Sequence, residues 1–255
     1  MVIYKYRKFL EEDGTINNST FRVLTERELW FTNPDKFNDL LDTRLRFDYS
    51  RPDNLSVEDA VRMFSTPENI KLHESDILRI LHRGFLFCCF AARSNIGPMW
   101  AHYSGNHTGM ALGFEVRGEG GDFGGNDFLE DVGYYGRRMK YQADIDSFNI
   151  YQVIDYVQDK EKFLNSLFTK KDEWQHESEV RIAPMPRPGI VINPPRAISF
   201  QPNSLKQIVF GFKMTLSDRK VVKRLVETGF PANHEVAYLE CYPDGSELGI
   251  RPCDL

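Results

Sequence analysis

Phe85-Leu86-Phe87-Cys88-Cys89-Phe90-Ala91 is apolar at every position. A strand with one wet face alternates apolar and polar side chains, so an unbroken run predicts a strand buried on both faces. Upstream of it, Leu55 to Arg83 reads as helical. Ser56 with Asp59 three residues on resembles a capping box for a helix from Val57 to Phe64. Thr66-Pro67 opens another helix with Pro in its first turn, Ile70, Ile77, Leu78 and Leu81 as its inner stripe, and Gly84 at its end. This stretch, near 55–83, is expected to be a helical insertion between two strands. Further upstream, Val2 to Tyr6 predicts an opening strand, and Ser19 or Thr20 a cap for a helix to about Glu28. Leu29-Trp30-Phe31-Thr32 predicts a short strand stopped by Asn33-Pro34.

Downstream, a short helix around Met99 to Tyr103 precedes a strand from Gly109 to Val116. Gly118 to Asp127 is glycine-rich and acidic and predicts a flexible loop. Its Phe123 stands where the third glycine of a dinucleotide fingerprint belongs, which argues against a phosphate cradle and for a surface segment able to act as a lid. Val132 to Tyr141 contains strand, and Tyr151 to Phe168 is an amphipathic helix. A strand from Val180 to Ala183 leads into a proline-rich connection, Pro184 to Pro195. The chain closes with a strand from Gln207 to Phe212, a helix from Asp218 to Thr228 capped by Ser217, a strand from Glu235 to Cys241, and a turn at Pro243 into a last strand. With no internal repeat and no splitting linker, residues 1–255 are expected to form one α+β domain. Its core is a mixed, mainly antiparallel sheet with flanking helices.

A composition of 41% hydrophobic and 27% charged residues excludes disorder, collagen and coiled coil. The net charge of −5 disfavours nonspecific nucleic-acid binding, which draws its affinity from neutralised phosphates. No run approaches the roughly 18 apolar residues of a membrane span, and the first residues lack the apolar core of a signal peptide. The four cysteines have no CxxC spacing, so neither a zinc set nor a redox couple is indicated. A reduced, soluble, cytoplasmic protein is the expectation.

The segment Lys170 to Ile182 carries the densest chemistry. If Glu177 to Ile182 is a strand, its period of two sends Glu177, Glu179 and Arg181 to one face, with Val180 and Ile182 toward the core. That row is either a solvated face with internal charge pairing or a carboxylate held ionised by Arg181 and aimed at a developing cation. Trp100, His102, Tyr103 and His107 form an aromatic group, in which the two histidines are five apart and off a common helical face. They read either as packed core with hydrogen-bonded histidines or as a wall that stacks on a base or nicotinamide ring. Asn38, Asp39 and Asp42 suggest Asx-turns or a hydrogen-bonded pocket wall. Arg7, ending the first strand, is able to pair with Asp39 or Asp42, or to clamp a phosphate.

In order, Tyr4-Lys5-Tyr6-Arg7, Leu29 to Asp39, Cys89-Phe90, Met99 to Tyr103, the Gly109 strand, and Lys171-x-x-Trp174-x-x-Glu177-x-Glu179-x-Arg181 resemble the bacterial family called domain of unknown function 2971. Leu40 replaces the proline usual after Asn-Asp, and Ala91 replaces the serine frequent after Cys-Phe, so no catalytic hydroxyl is available at position 91. The resemblance implies a bacterial or phage setting and no established reaction. Arg7 followed much later by Glu177-x-Glu179 is also similar to the arrangement of ADP-ribosyltransferases, although the Ser-Thr-Ser motif of that superfamily is missing. That similarity implies NAD as substrate. Glu179 would hold the nicotinamide ribose, Glu177 the acceptor and Arg7 the phosphates. Trp100 or Tyr103 would stack on the ring, with His102, Asn38, Asp39 and Arg181 in the binding wall. Such an enzyme would be a toxin or phage-defence effector acting on an unidentified acceptor. The alternatives are a Mg²⁺-dependent nuclease or phosphoesterase built on Asp39, Asp42, Glu177 and Glu179, and a non-catalytic interaction module in phage defence.

Overall fold

The computed structural model describes residues 1–39, 41–43, 46–63, 66–118, 122–144, 147–152, 165–185 and 196–255. Chain order begins with β1 (Val2–Arg7), α1 (Asn18–Thr25), β2 (Glu28–Phe31), β3 (Arg46–Asp48), α2 (Val57–Met63) and α3 (Pro67–Gly84). It continues with β4 (Cys88–Ala91), α4 (Gly97–Tyr103), β5 (Met110–Glu115), β6 (Asp122–Gly125), β7 (Gly133–Arg138), β8 (Lys140–Gln142) and β9 (Ser147–Asn149). Then come β10 (Thr169–Lys171), β11 (Glu179–Met185), β12 (Arg196–Ser199), β13 (Leu205–Phe210), α5 (Leu216–Gly229), β14 (Ala237–Asp244) and β15 (Glu247–Pro252).

Nine strands form the main sheet in the order β15-β14-β13-β5-β1-β4-β11-β7-β6. Its neighbours are antiparallel apart from β13 and β14, which run parallel because α5 carries the chain back between them. The architecture is α+β, as the sequence predicts. Two-stranded pairs, β8 with β10, β2 with β12 and β3 with β9, lie outside it.

Strand alternation divides the sheet into two unlike faces. Ile3, Cys88, Phe90, Leu112, Phe114, Val180, Ile182, Ile208 and Phe210 belong to one core with Val23 and Leu24 of α1 and Val222 and Val226 of α5. Phe114 is fully buried and meets Phe90, Phe128 and Phe200 edge-on. Removing one such ring from water is worth about 1.5–3 kcal/mol. The opposite face carries Tyr6, Ala91, Ala111, Val209 and Cys241 beneath Trp100 of α4. Toward β7 that face is covered by Phe87, Met139, Leu167 and Phe168. Between these two smaller clusters the sheet presents Cys89, Glu179 and Arg181, with Glu179 opposite Ala91 and Arg181 opposite Cys89.

Local signals hold in some places and shift in others. Ser56 Oγ accepts from the Asp59 N–H at 3.0 Å, as the cap requires, and donates to Asp59 Oδ2 at 2.7 Å, and Thr66 caps α3 with Pro67 at its start. Asn17 rather than Ser19 or Thr20 caps α1, since its Oδ1 accepts the Thr20 N–H at 3.0 Å. Thr215 rather than Ser217 caps α5, accepting from Asp218 at 3.2 Å. The glycine-rich stretch is an edge strand from Asp122 to Gly125 rather than a loop. Asp122 binds the Arg137 guanidinium through both oxygens, and Phe123 lies over Gly136. A Cβ at Gly136 would stand 2.3 Å from the Phe123 ring, so only glycine fits there. Residues 119–121 of that stretch lie outside the described residues, as do 153–164 of the expected amphipathic helix and 186–195 of the proline-rich connection.

The central strand is shorter than its apolar run. Phe87 meets Thr32 only as an isolated bridge, and β4 begins at Cys88. Likewise β11 starts at Glu179, because Asp172–Glu177 is a 3-10 turn and Ser178 takes a left-handed conformation, φ 46°. All four cysteines are free. Among the described residues no helix is long and apolar enough to cross a membrane.

Candidate functional site

Arg181 is the organising charge. It is fully buried on β11, and every arm of its guanidinium is engaged. Nε donates to Glu179 Oε1 at 2.8 Å, Nη1 to the Leu167 carbonyl at 2.9 Å, and Nη2 to Asp42 Oδ2 at 2.5 Å. Its carbon lies 4.8 Å from the Phe37 ring centre, a cation–π contact in a dry setting. Burying a guanidinium is tolerable only when its donors are matched in this way.

Lys170 is the second cation, brought in by the parallel pairing of β10 with β8. Its Nζ lies 2.7 Å from Glu177 Oε2, 3.2 Å from Glu179 Oε2 and 3.5 Å from Asp42 Oδ2. It also sits 4.7 Å over the Trp174 ring. Glu177 reaches the group from the end of the 3-10 turn, and left-handed Ser178 lets the chain reverse into β11 with both glutamates on the same side. Tyr103 of α4 donates to Glu177 Oε1 at 2.8 Å and accepts from Asn38 Nδ2 at 2.9 Å. The Glu179 N–H donates to the Tyr141 hydroxyl at 2.7 Å.

Three carboxylates and two cations therefore share one nearly dry pocket, with side-chain exposures of 6% or less. Burial alone would raise the Glu179 pKa, but the Arg181 and Lys170 charges overcome it and hold the group at about 2. For Asp42 burial wins: its pKa is raised, with Glu179 adding to the effect and Arg181 opposing it. Burial works against the Lys170 ammonium, yet Glu179, Asp42 and Glu177 hold its pKa above the ordinary lysine value, so it is a fixed cation and no amine nucleophile. Burial and Glu177 keep Tyr103 protonated as a donor, and burial and Glu179 keep Cys89 a thiol.

Above this network is a recess of about 110 Å³, lined by Tyr4, Tyr6, Asn38, Cys89, Met99 and Tyr103 together with Asp42, Lys170, Glu177 and Glu179. Pockets that enclose a drug-sized molecule hold about 300–1,000 Å³. This one takes a ring-sized group.

Of the sequence-derived candidates, the fold gathers Asn38, Asp42, Tyr103, Glu177, Glu179 and Arg181. It leaves Arg7, Trp100, His102 and Asp39 apart. Arg7 alternates with Tyr4 and Tyr6 and so projects from the other face, where Nη1 donates to Ser19 Oγ at 2.7 Å. Its Nε has no partner among the described residues, and burial lowers its pKa. Among the described residues it pairs with neither Asp39 nor Asp42. Trp100 is fully buried, donates Nε1–H to the Ser94 carbonyl at 2.8 Å and meets Tyr6 edge-on, so no ring face is free for stacking. His107 stacks on Trp100 from the far side. His102 is exposed on α4 and does not line the recess. Asp39 closes an Asx-turn onto the Leu41 N–H at 2.9 Å. The four-carboxylate magnesium group is thus incomplete, and Lys170 stands among the remaining three. Among the described residues no cluster of His, Cys, Asp and Glu has a metal-holding arrangement.

Lys170 is the charged residue of the site that sequence reasoning missed, and Tyr4, Tyr6, Met99 and Tyr141 were not singled out either. The local signal of Lys170 was slight, a lysine seven residues before Glu177 beside a second lysine of similar promise.

Residues 99–182 match the family model described as protein of unknown function (DUF2971). The matched span takes in Tyr103, Lys170, Glu177, Glu179 and Arg181, while Asn38, Asp42 and Arg7 lie outside it. No curated protein and no solved structure matches the chain.

Proposed function

We propose that the recess is an enzyme active site that breaks a ribosyl bond through a cationic transition state, in the manner of an ADP-ribosyltransferase acting on NAD. The observation that carries this reading is Glu179. It is buried beside the recess, ionised well below neutral pH, and fixed by Arg181 and Lys170. A preorganised charge in a dry site stabilises an oxocarbenium-like centre without reorganising as the bond breaks. Glu177, held by Tyr103 on one oxygen and Lys170 on the other, is placed to orient an acceptor. The recess admits the nicotinamide end of the dinucleotide, and the phosphates stay outside it. Arg7 has no role in holding them, since it lies across the sheet.

Incubation with NAD labelled in the adenosine, in the presence of cell extract, tests the reading. Release of nicotinamide, or label on a macromolecule, is expected. Glu179→Gln, which keeps the side-chain shape and removes the charge, should lower either signal by about 100-fold or more, the scale of a lost electrostatic contact in the transition state. Absence of both signals from the wild-type protein would end it.

A second reading has its own support. Nearly all the charged atoms here have an internal partner, as in a lock that pins Asp42 and Phe37 to Arg181 of β11. Under that reading Glu179→Gln changes unfolding free energy and nothing else. The magnesium-dependent reading has less support, because Lys170 Nζ already touches one oxygen of each carboxylate that would hold the ion.

A further inference from the structure

Five of the six carboxylate oxygens in the network are committed. Glu177 accepts from Tyr103 and Lys170, Glu179 from Arg181 and Lys170, and Asp42 Oδ2 from Arg181 with Lys170 close by. The sixth, Asp42 Oδ1, is buried without a hydrogen-bond partner among the described residues. Asp42 lines the recess, its side chain is 3% exposed, and it belongs to a group with one more carboxylate than cation. An unpaired oxygen of this kind carries an unrecovered desolvation cost, which an incoming N–H removes. Of the other walls, Tyr4, Tyr6, Met99 and Tyr103 offer ring and thioether surface suited to a flat cation, while the ammonium groups of Lys5 and Lys170 are engaged by the Cys89 carbonyl and by the carboxylates.

We infer that Asp42 Oδ1 is the recognition atom of the recess and that the group bound there is a planar cation carrying an N–H donor. This rests on the recess being the ligand site proposed above, and it adds a rule of selection. A pyridinium bearing a carboxamide satisfies it, as does an aromatic amidinium. A cation without N–H, or a neutral amide, meets half of the requirement.

Three small probes separate the terms: benzamidine, a cation with N–H; N-methylpyridinium, a cation without; and benzamide, which has N–H and no charge. Titration calorimetry on the full chain is expected to show benzamidine binding about tenfold or more tighter than either of the others, the range of a hydrogen bond to a charged group. Asp42→Asn, which keeps the shape and removes the charge, should erase that advantage. Equal affinities for the three probes on the wild-type protein would overturn the inference without any variant having to fold. So would a folded Asp42→Asn protein that keeps the preference. Failure of the NAD assay with the probe ranking intact removes only the reaction; turnover of NAD without the ranking removes only the role of Asp42.

Discussion

Replacing Lys170 by Met is the sharpest perturbation of the network. Methionine approximates the lysine stem, so packing against Trp174 is largely kept while the charge is lost. Each contact between Nζ and a carboxylate is shorter than 4 Å, where unit charges at an effective dielectric of 20 attract by about 4 kcal/mol. Desolvation of the ammonium offsets part of that sum. What remains after the substitution is three buried carboxylates facing Arg181 alone, and breaking one side of a buried pair costs about 3–5 kcal/mol. For a chain of this length that corresponds to a fall in Tm of roughly 6–20 °C. The deficit should narrow as the pH is lowered, because a carboxylate freed of its counter-charge takes up a proton. Asp42, whose pKa is already raised, is the first to do so. Urea unfolding of Lys170→Met at pH 7 and pH 5, beside Lys171→Met as the control just outside the network, measures both effects. Equal losses of under about 1 kcal/mol for the two variants would refute the electrostatic account, since that is the scale of an ordinary surface substitution.

Glu179 sets the acid limb of stability. Its pKa falls from 4.5 unfolded to about 2 folded, so its contribution is complete above 4.5 and disappears as the pH drops toward 2. Glu179→Gln should therefore flatten the slope of unfolding free energy against pH in that window, and an unchanged slope would count against the assignment. Asp42 has the opposite sign: its raised pKa makes it more stabilising below its unfolded value of 3.8 and less so as pH rises through the folded value. Arg7→Met should leave probe binding in the recess unchanged and shift stability by no more than about 1 kcal/mol, since a half-buried charge with an unpaired Nε is exchanged for an apolar side chain. Loss of probe affinity in that variant, measured by calorimetry, would contradict its placement across the sheet.

The sheet was legible because hydrophobic pattern and strand burial share one cause. The run from Phe85 to Ala91 predicted a covered strand, and β4 sits between β1 and β11 with both of its faces occupied. Ends were less legible. Thr66 and Ser56 cap as expected, but Asn17 displaces Ser19 as a cap while Ser19 serves Arg7 instead. A cap is a competition among neighbouring side chains, and tertiary partners decide it. The Asp122–Gly125 strand shows the same dependence, since its glycines look like loop until Phe123 is seen to need a bare Gly136 opposite it.

The candidate site divides along the reach of strand periodicity. Glu179 and Arg181 are two apart on one strand, so their shared face follows from the sequence alone. Glu177 joins them by a different route, a left-handed residue at Ser178 that no alternation rule supplies. Arg7 illustrates the limit. Period two already places it opposite Tyr4 and Tyr6, but nothing local says which of those faces carries Glu179. That answer requires two registers in series, Tyr4 opposite Ala91 and Ala91 opposite Glu179. Once they are fixed, Tyr4, Ala91 and Glu179 lie in one row and Arg7 must point away. Asp42, Tyr103 and Lys170 reach the same patch of sheet, left open between two hydrophobic clusters, by other routes, Lys170 through the pairing of β10 with β8 and Tyr103 from the end of α4. A buried charge network can form only where packing leaves such a gap, so its members are set by topology, and the side chains inherit their chemistry from the place the sheet gives them.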